Sequence, residues 1–96
     1  MTSSEITKQI IKYLNLSGHF VFRVNNIQGT KYRAGNVTKG VPDIMGLTKA
    51  GQAIGVEIKT TDKQSIYQQE MESQYKKRGG IYVLAHSLED VIEAGL

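Results

Sequence analysis

The sequence predicts a mixed α/β domain with its elements in the order αβββαβα. Three observations carry this. Apolar residues recur at helical spacing near the start, at Ile6, Ile10, Tyr13 and Leu14. Short runs rich in aromatic and β-branched residues follow, with strict alternation in Ile54-Gly55-Val56-Glu57-Ile58-Lys59. A further helical pattern then separates that run from a last apolar one, so three strands can form an antiparallel meander and a right-handed crossover can bring the fourth in parallel. The result is a mixed sheet flanked by helices.

The elements follow in order. Thr2 to Leu14 is a helix, with Thr2 and Glu5 at capping-box spacing, and Asn15 to Gly18 ends it. Phe20 to Val24 is a strand. Asn25 to Gly40 is polar and glycine-spaced, a long loop of the kind that carries function. Val41 to Leu47 is the second strand, residues 48 to 52 a turn, and Ala53 to Lys59 the third strand. Thr60 to Gln64 is a loop. Ser65 to Arg78 is a helix with Tyr67, Met71, Tyr75 and Arg78 on one stripe, stopped by Gly79-Gly80. Ile81 to His86 is the last strand, and Ser87 can cap a short helix from Leu88 to Ala94.

The bulk composition narrows the function classes. A chain of 96 residues suits a single domain, 1–96, with one modest core. The absence of cysteine excludes disulfides, thiolate metal sites and a cysteine nucleophile, and fits a reducing cytoplasm. The N-terminus has no apolar run behind a basic segment, and no stretch is apolar enough to span a membrane. A net charge of +3 permits nucleic-acid binding without demanding it. His19 and His86 lack metal-ligand spacing and read as structural or exposed. There is no phosphate-binding glycine loop of the G-x-x-x-x-G-K type.

The chemistry concentrates in the third strand. Ile54, Val56 and Ile58 take one face, and Gly55, Glu57 and Lys59 the other. If the preceding turn centres on Ala50, Leu47 faces Ala53 and Asp43 faces Glu57. Directly opposed residues have Cβ atoms ~5 Å apart, and like charges at that distance destabilise a sheet unless something sits between them. A divalent cation is the simplest candidate, and hard oxygen ligands favour magnesium or manganese. The ammonium of Lys59 can then orient a water or stabilise charge on a phosphate. Pro42, the only proline, enters the second strand directly before Asp43. A metal, a water and a cation together describe phosphodiester hydrolysis.

These residues resemble a known family. Gly40-Val41-Pro42-Asp43 followed by Glu57-Ile58-Lys59 looks like the PD-(D/E)XK nuclease signature, and more narrowly that of the VRR-NUC family, the virus-type replication-repair nucleases. Its pattern of a helical glutamate, a strand arginine and asparagine, G-x-P-D, E-x-K, and a serine and glutamine opening a helix is met by Glu5, Arg23, Asn25, Gly40 to Asp43, Glu57 to Lys59, Ser65 and Gln68. The resemblance continues through Gly79 to Val83 and Ser87 to Val91 and covers nearly the whole chain, in a minimal stand-alone form. It implies a restriction-endonuclease-like αβββαβ core and magnesium- or manganese-dependent DNA cleavage. Stand-alone viral and bacterial members resemble Holliday-junction resolvases acting as homodimers, which suggests a phage origin.

The implied site has Asp43 and Glu57 as metal ligands, with the Ile58 carbonyl as a further one. Lys59 assists the water, and Glu5 and Gln68 give support. Two of these have a second reading from the residues alone: Glu5 can cap the first helix with Thr2, and Gln68 the second with Ser65. Arg23, Asn25, Lys31, Arg33 and Lys39 are the expected nucleic-acid contacts, with Tyr32 able to stack on a base. For the loop residues among them, a solvated surface is the other reading. A non-catalytic DNA-junction binding module that keeps the fold is the alternative function.

Overall fold

The computed structural model describes residues 1–24, 38–59 and 63–96. Among the described residues, four strands, β1 (Phe20–Arg23), β2 (Ile44–Leu47), β3 (Ala53–Ile58) and β4 (Ile81–Ala85), form one sheet in the order β1-β2-β3-β4. The first three pair antiparallel and β4 joins β3 in parallel. The expected meander and crossover are both present. Helix α1 (Ser3–Leu16) precedes the sheet, α2 (Ile66–Lys77) makes the crossover and α3 (Leu88–Glu93) follows β4.

The core lies on one face of the sheet. Ile6, Ile10 and Leu14 of α1 and Val91 of α3 pack on Val21, Ile44, Ile54, Val56, Ile58, Val83 and Ala85. Helix α2 covers the opposite face over β3 and β4. Tyr75 of α2 meets Tyr82 of β4 edge-on, with ring centroids 5.6 Å apart. A Cβ on Gly55 would lie 3.0 Å from both Tyr75 and Pro42. Residues Ile54 to Ile58 are therefore buried on both faces, the usual condition of a strand with a parallel partner.

Several boundaries differ from the expected ones. Helix α1 runs on to Leu16, because Ser17 returns its N–H and hydroxyl to the Tyr13 carbonyl before Gly18 turns the chain at φ +98°. Strand β2 begins at Ile44 and not at Val41: Pro42 has no N–H to give a ladder. Ser65 and Arg78 are caps of α2 and not part of it. Ser87 stands at the cap of α3 but makes no side-chain bond there; Asp90, inside the helix, accepts the His86 N–H instead. The stripe of α2 is only partly covered, since no residue of that helix is fully buried. Among the described residues, no helix is long and apolar enough to cross a membrane.

Candidate active site

The site begins with the β2–β3 register. Leu47 pairs with Ala53 and Ile44 with Val56, the register expected from a turn centred on Ala50. One step further sets Asp43 beside Glu57. The Ile58 N–H donates to Asp43 Oδ2 at 2.8 Å, which anchors that carboxylate to the main chain of β3.

Glu57 is a buried carboxyl group, 6% exposed. Burial, and then the neighbouring Asp43 charge, push its pKa up from 4.5 to about 7, with Lys59 pulling the other way. Its Oε2 accepts from Gln68 Nε2 at 2.9 Å. Its Oε1 is buried with no hydrogen-bond partner. Lys59 continues β3 by one residue, gives its N–H to the Ala85 carbonyl at 2.9 Å, and shares the strand face of Glu57.

Gln68 closes the cap of α2 and also reaches Glu57. Its Oε1 accepts the Ser65 N–H at 2.9 Å and its N–H donates to Ser65 Oγ, completing the capping box. The amide nitrogen remains for Glu57. Gly40 makes this approach possible. Its φ is +80°, and a Cβ there would lie 2.4 Å from the Tyr67 carbonyl oxygen. The G-x-P-D segment thus packs its main chain against the first turn of α2.

Beneath Glu57 lies a polar layer that the sequence did not disclose. Tyr82 is buried, and its hydroxyl lacks a hydrogen-bond partner, as does the Gln64 amide nitrogen. Burial raises the Tyr82 pKa, followed by the Glu57 and Glu72 charges. Glu72 is held below the usual carboxylate range by its hydrogen bond from Lys76 at 2.7 Å. Tyr82 sits on the face of Glu57 only because Gly55 pairs with it across the parallel ladder, a pairing set by the crossover.

Glu5 is exposed and closes the α1 capping box: its Oε1 accepts the Thr2 N–H at 2.8 Å, and this bond lowers its pKa. Arg23 is exposed on the α1 side of the sheet, with Nη1 3.5 Å from Ser4 Oγ. Ile58 packs its side chain into the core, so only its main chain faces the site's chemistry. Lys39 lies over the Tyr67 ring, 4.8 Å from its centroid. Asn25, Lys31, Tyr32 and Arg33 lie outside the described residues. His19 Nδ1 accepts the Lys49 N–H at 3.0 Å, a structural bond. Among the described residues, no three His, Asp or Glu side chains gather as a metal cluster, so the acidic centre is the Asp43–Glu57 pair.

No family model and no curated protein matches the chain. Among solved structures, a VRR_NUC domain matches at a TM-score of 0.67 and 21% identity, over 97% of this chain and 94% of that one. The chain has the fold of a VRR_NUC domain, with the mixed sheet and flanking helices of that αβββαβ architecture.

Proposed function

We propose that residues 1–96 act as a nuclease domain of the VRR-NUC type, hydrolysing DNA phosphodiesters with magnesium or manganese. The observation that carries this reading is the Asp43–Glu57 pair, with one buried Glu57 oxygen left without a protein partner. Folding two acidic groups against each other, one of them buried, is costly. A binding surface for DNA phosphates would gain nothing from it.

The donor set fits a hard divalent cation, because it consists of carboxylate and main-chain oxygens. Asp43 and Glu57 would hold the ion, with the Ile58 carbonyl as a further ligand. When bound, it supplies an acidified water and positive charge at the scissile phosphate. Gln68 fixes the Glu57 carboxyl through Oε2 and leaves Oε1 available. Lys59 would orient the attacking water and stabilise charge developing on the phosphoryl oxygens. Glu5, already engaged in the helix cap, would reach the site through water. Arg23, Asn25, Lys31, Arg33 and Lys39 would contact the DNA backbone, and a homodimer acting on branched DNA is the assembly we favour.

The test is cleavage of a labelled four-way junction beside linear duplex and single strands, with magnesium, manganese or chelator. Asp43→Asn and Lys59→Ala should each reduce the rate at least a hundredfold while remaining folded. Symmetric cuts confined to the junction support a dimeric resolvase. Cleavage of every substrate keeps the nuclease and discards junction selectivity. A folded wild-type protein that binds junctions but cuts nothing with either metal is a binding module.

A further inference from the structure

The first turn of α2 exposes side chains that its own packing does not explain. Ile66 is 74% and Tyr67 50% exposed. Burying such side chains is worth ~1.5–3 kcal/mol each, a gain that a small domain forgoes here. Lys39 Nζ lies over the Tyr67 ring, 4.8 Å from its centroid. An exposed cation–π contact contributes only about 0.5–1 kcal/mol, and it leaves Ile66 unaccounted for.

The position of this group is closely constrained. Lys39 precedes Gly40, whose main chain lies directly against the Tyr67 carbonyl. Tyr67 precedes Gln68, whose amide donates to Glu57. The two segments that build the acidic centre therefore also carry the ring and the ammonium, Tyr67 one residue before Gln68 and Lys39 four residues before Asp43. An aromatic face, an apolar side chain and a cation together match one nucleotide, with its base against the ring and its phosphate near the ammonium. Inside a duplex both faces of a base are covered by its neighbours. Only an unstacked base has a face to offer, and exposed isoleucine side chains serve elsewhere as wedges between base steps.

We infer that Ile66, Tyr67 and Lys39 form a stacking platform for an unpaired base beside the scissile phosphate, so that the substrate class is DNA with an unpaired nucleotide at the cut. This rests on the nuclease reading for the cut itself, whereas the platform can be tested without it. The probe is an oligonucleotide carrying 2-aminopurine, whose fluorescence falls on stacking, offered single-stranded or in duplex to the full chain in chelator. Wild type and Tyr67→Phe should quench the single-stranded probe. Tyr67→Ala should abolish the quench and lower the ratio of single-strand to duplex affinity roughly tenfold, the lower-middle of the range for losing one base–aromatic stack. Both substitutions replace an exposed side chain, and circular dichroism checks their folding. Quenching by Tyr67→Ala equal to wild type overturns the platform. A second arm compares cleavage of a perfect duplex with the same duplex carrying one unpaired nucleotide, where the wild-type preference should fall in Tyr67→Ala and an unchanged preference counts against the platform. Failure of wild type to cut anything sinks the nuclease reading alone, because the quenching arm still decides the platform.

Discussion

Glu57 concentrates the energetics of the site in one carboxyl group. Its pKa is raised to about 7 from 4.5, so the folded state keeps the proton that the unfolded chain loses first. The stability this contributes is fully present below pH 4.5 and is lost as pH rises through 7. The difference amounts to up to about 3 kcal/mol. Thermal unfolding in chelator should therefore show Tm falling across that interval, and Glu57→Gln should flatten the fall. Because a cation requires the ionised form, magnesium should raise Tm more at pH 8 than at pH 5.5. An identical magnesium shift at both pH values would remove Glu57 from the metal site. Gln68 shows how one side chain serves two ends: its carbonyl closes a helix cap while its amide nitrogen holds the carboxylate.

At the scale of elements, the start of α1 separates structure from chemistry at Glu5. The capping box is complete, with Thr2 Oγ1 accepting the Glu5 N–H and Glu5 accepting the Thr2 N–H. Thr2→Ala should cost ~1 kcal/mol of stability with no effect on cleavage. Glutamine at position 5 can still complete a capping box, so Glu5→Gln should leave the melting curve in place. A loss of metal-dependent cleavage in Glu5→Gln would then report contact with the site through water. Retained cleavage would assign the residue to the cap alone. Helix α2 divides differently. Its N-terminal turn carries Gln68 and the exposed Tyr67, whereas Met71 and Tyr75 provide the half-buried contact that seats it.

At the scale of the whole molecule, α2 covers only the β3–β4 half of its face. Across the β1–β2 half, alternation opposite the buried Val21 places Phe20 and Phe22 beside Leu47 and Met45, with Phe20 65%, Phe22 47% and Leu47 50% exposed. Contiguous exposed apolar surface of this kind marks an interaction face, and β1 is the edge of the sheet among the described strands. This is the face we assign to the proposed homodimer. Sedimentation should give a dimer for wild type and a monomer for Phe20→Ser/Phe22→Ser. A wild-type monomer at micromolar concentration would leave the patch without that role.

The sequence by itself determined the element order, the meander, the Asp43–Glu57 register and the amphipathic face of α1. These follow from local periodicity, capping spacing and a short turn, each readable within a few residues. It also supplied the Ser65–Gln68 cap, though not that the same side chain donates to Glu57. The tertiary structure alone decided the rest. The second covered face of β3, the place of Tyr82 and Gln64 beneath Glu57, and the seat of Tyr67 beside Lys39 depend on where the crossover sets α2 down. That choice rests on contacts between residues far apart in the chain. Gly40 shows why the two differ: its glycine is plain in the sequence, but the reason for it, a backbone oxygen of Tyr67 where a Cβ would stand, exists only once the helix has docked.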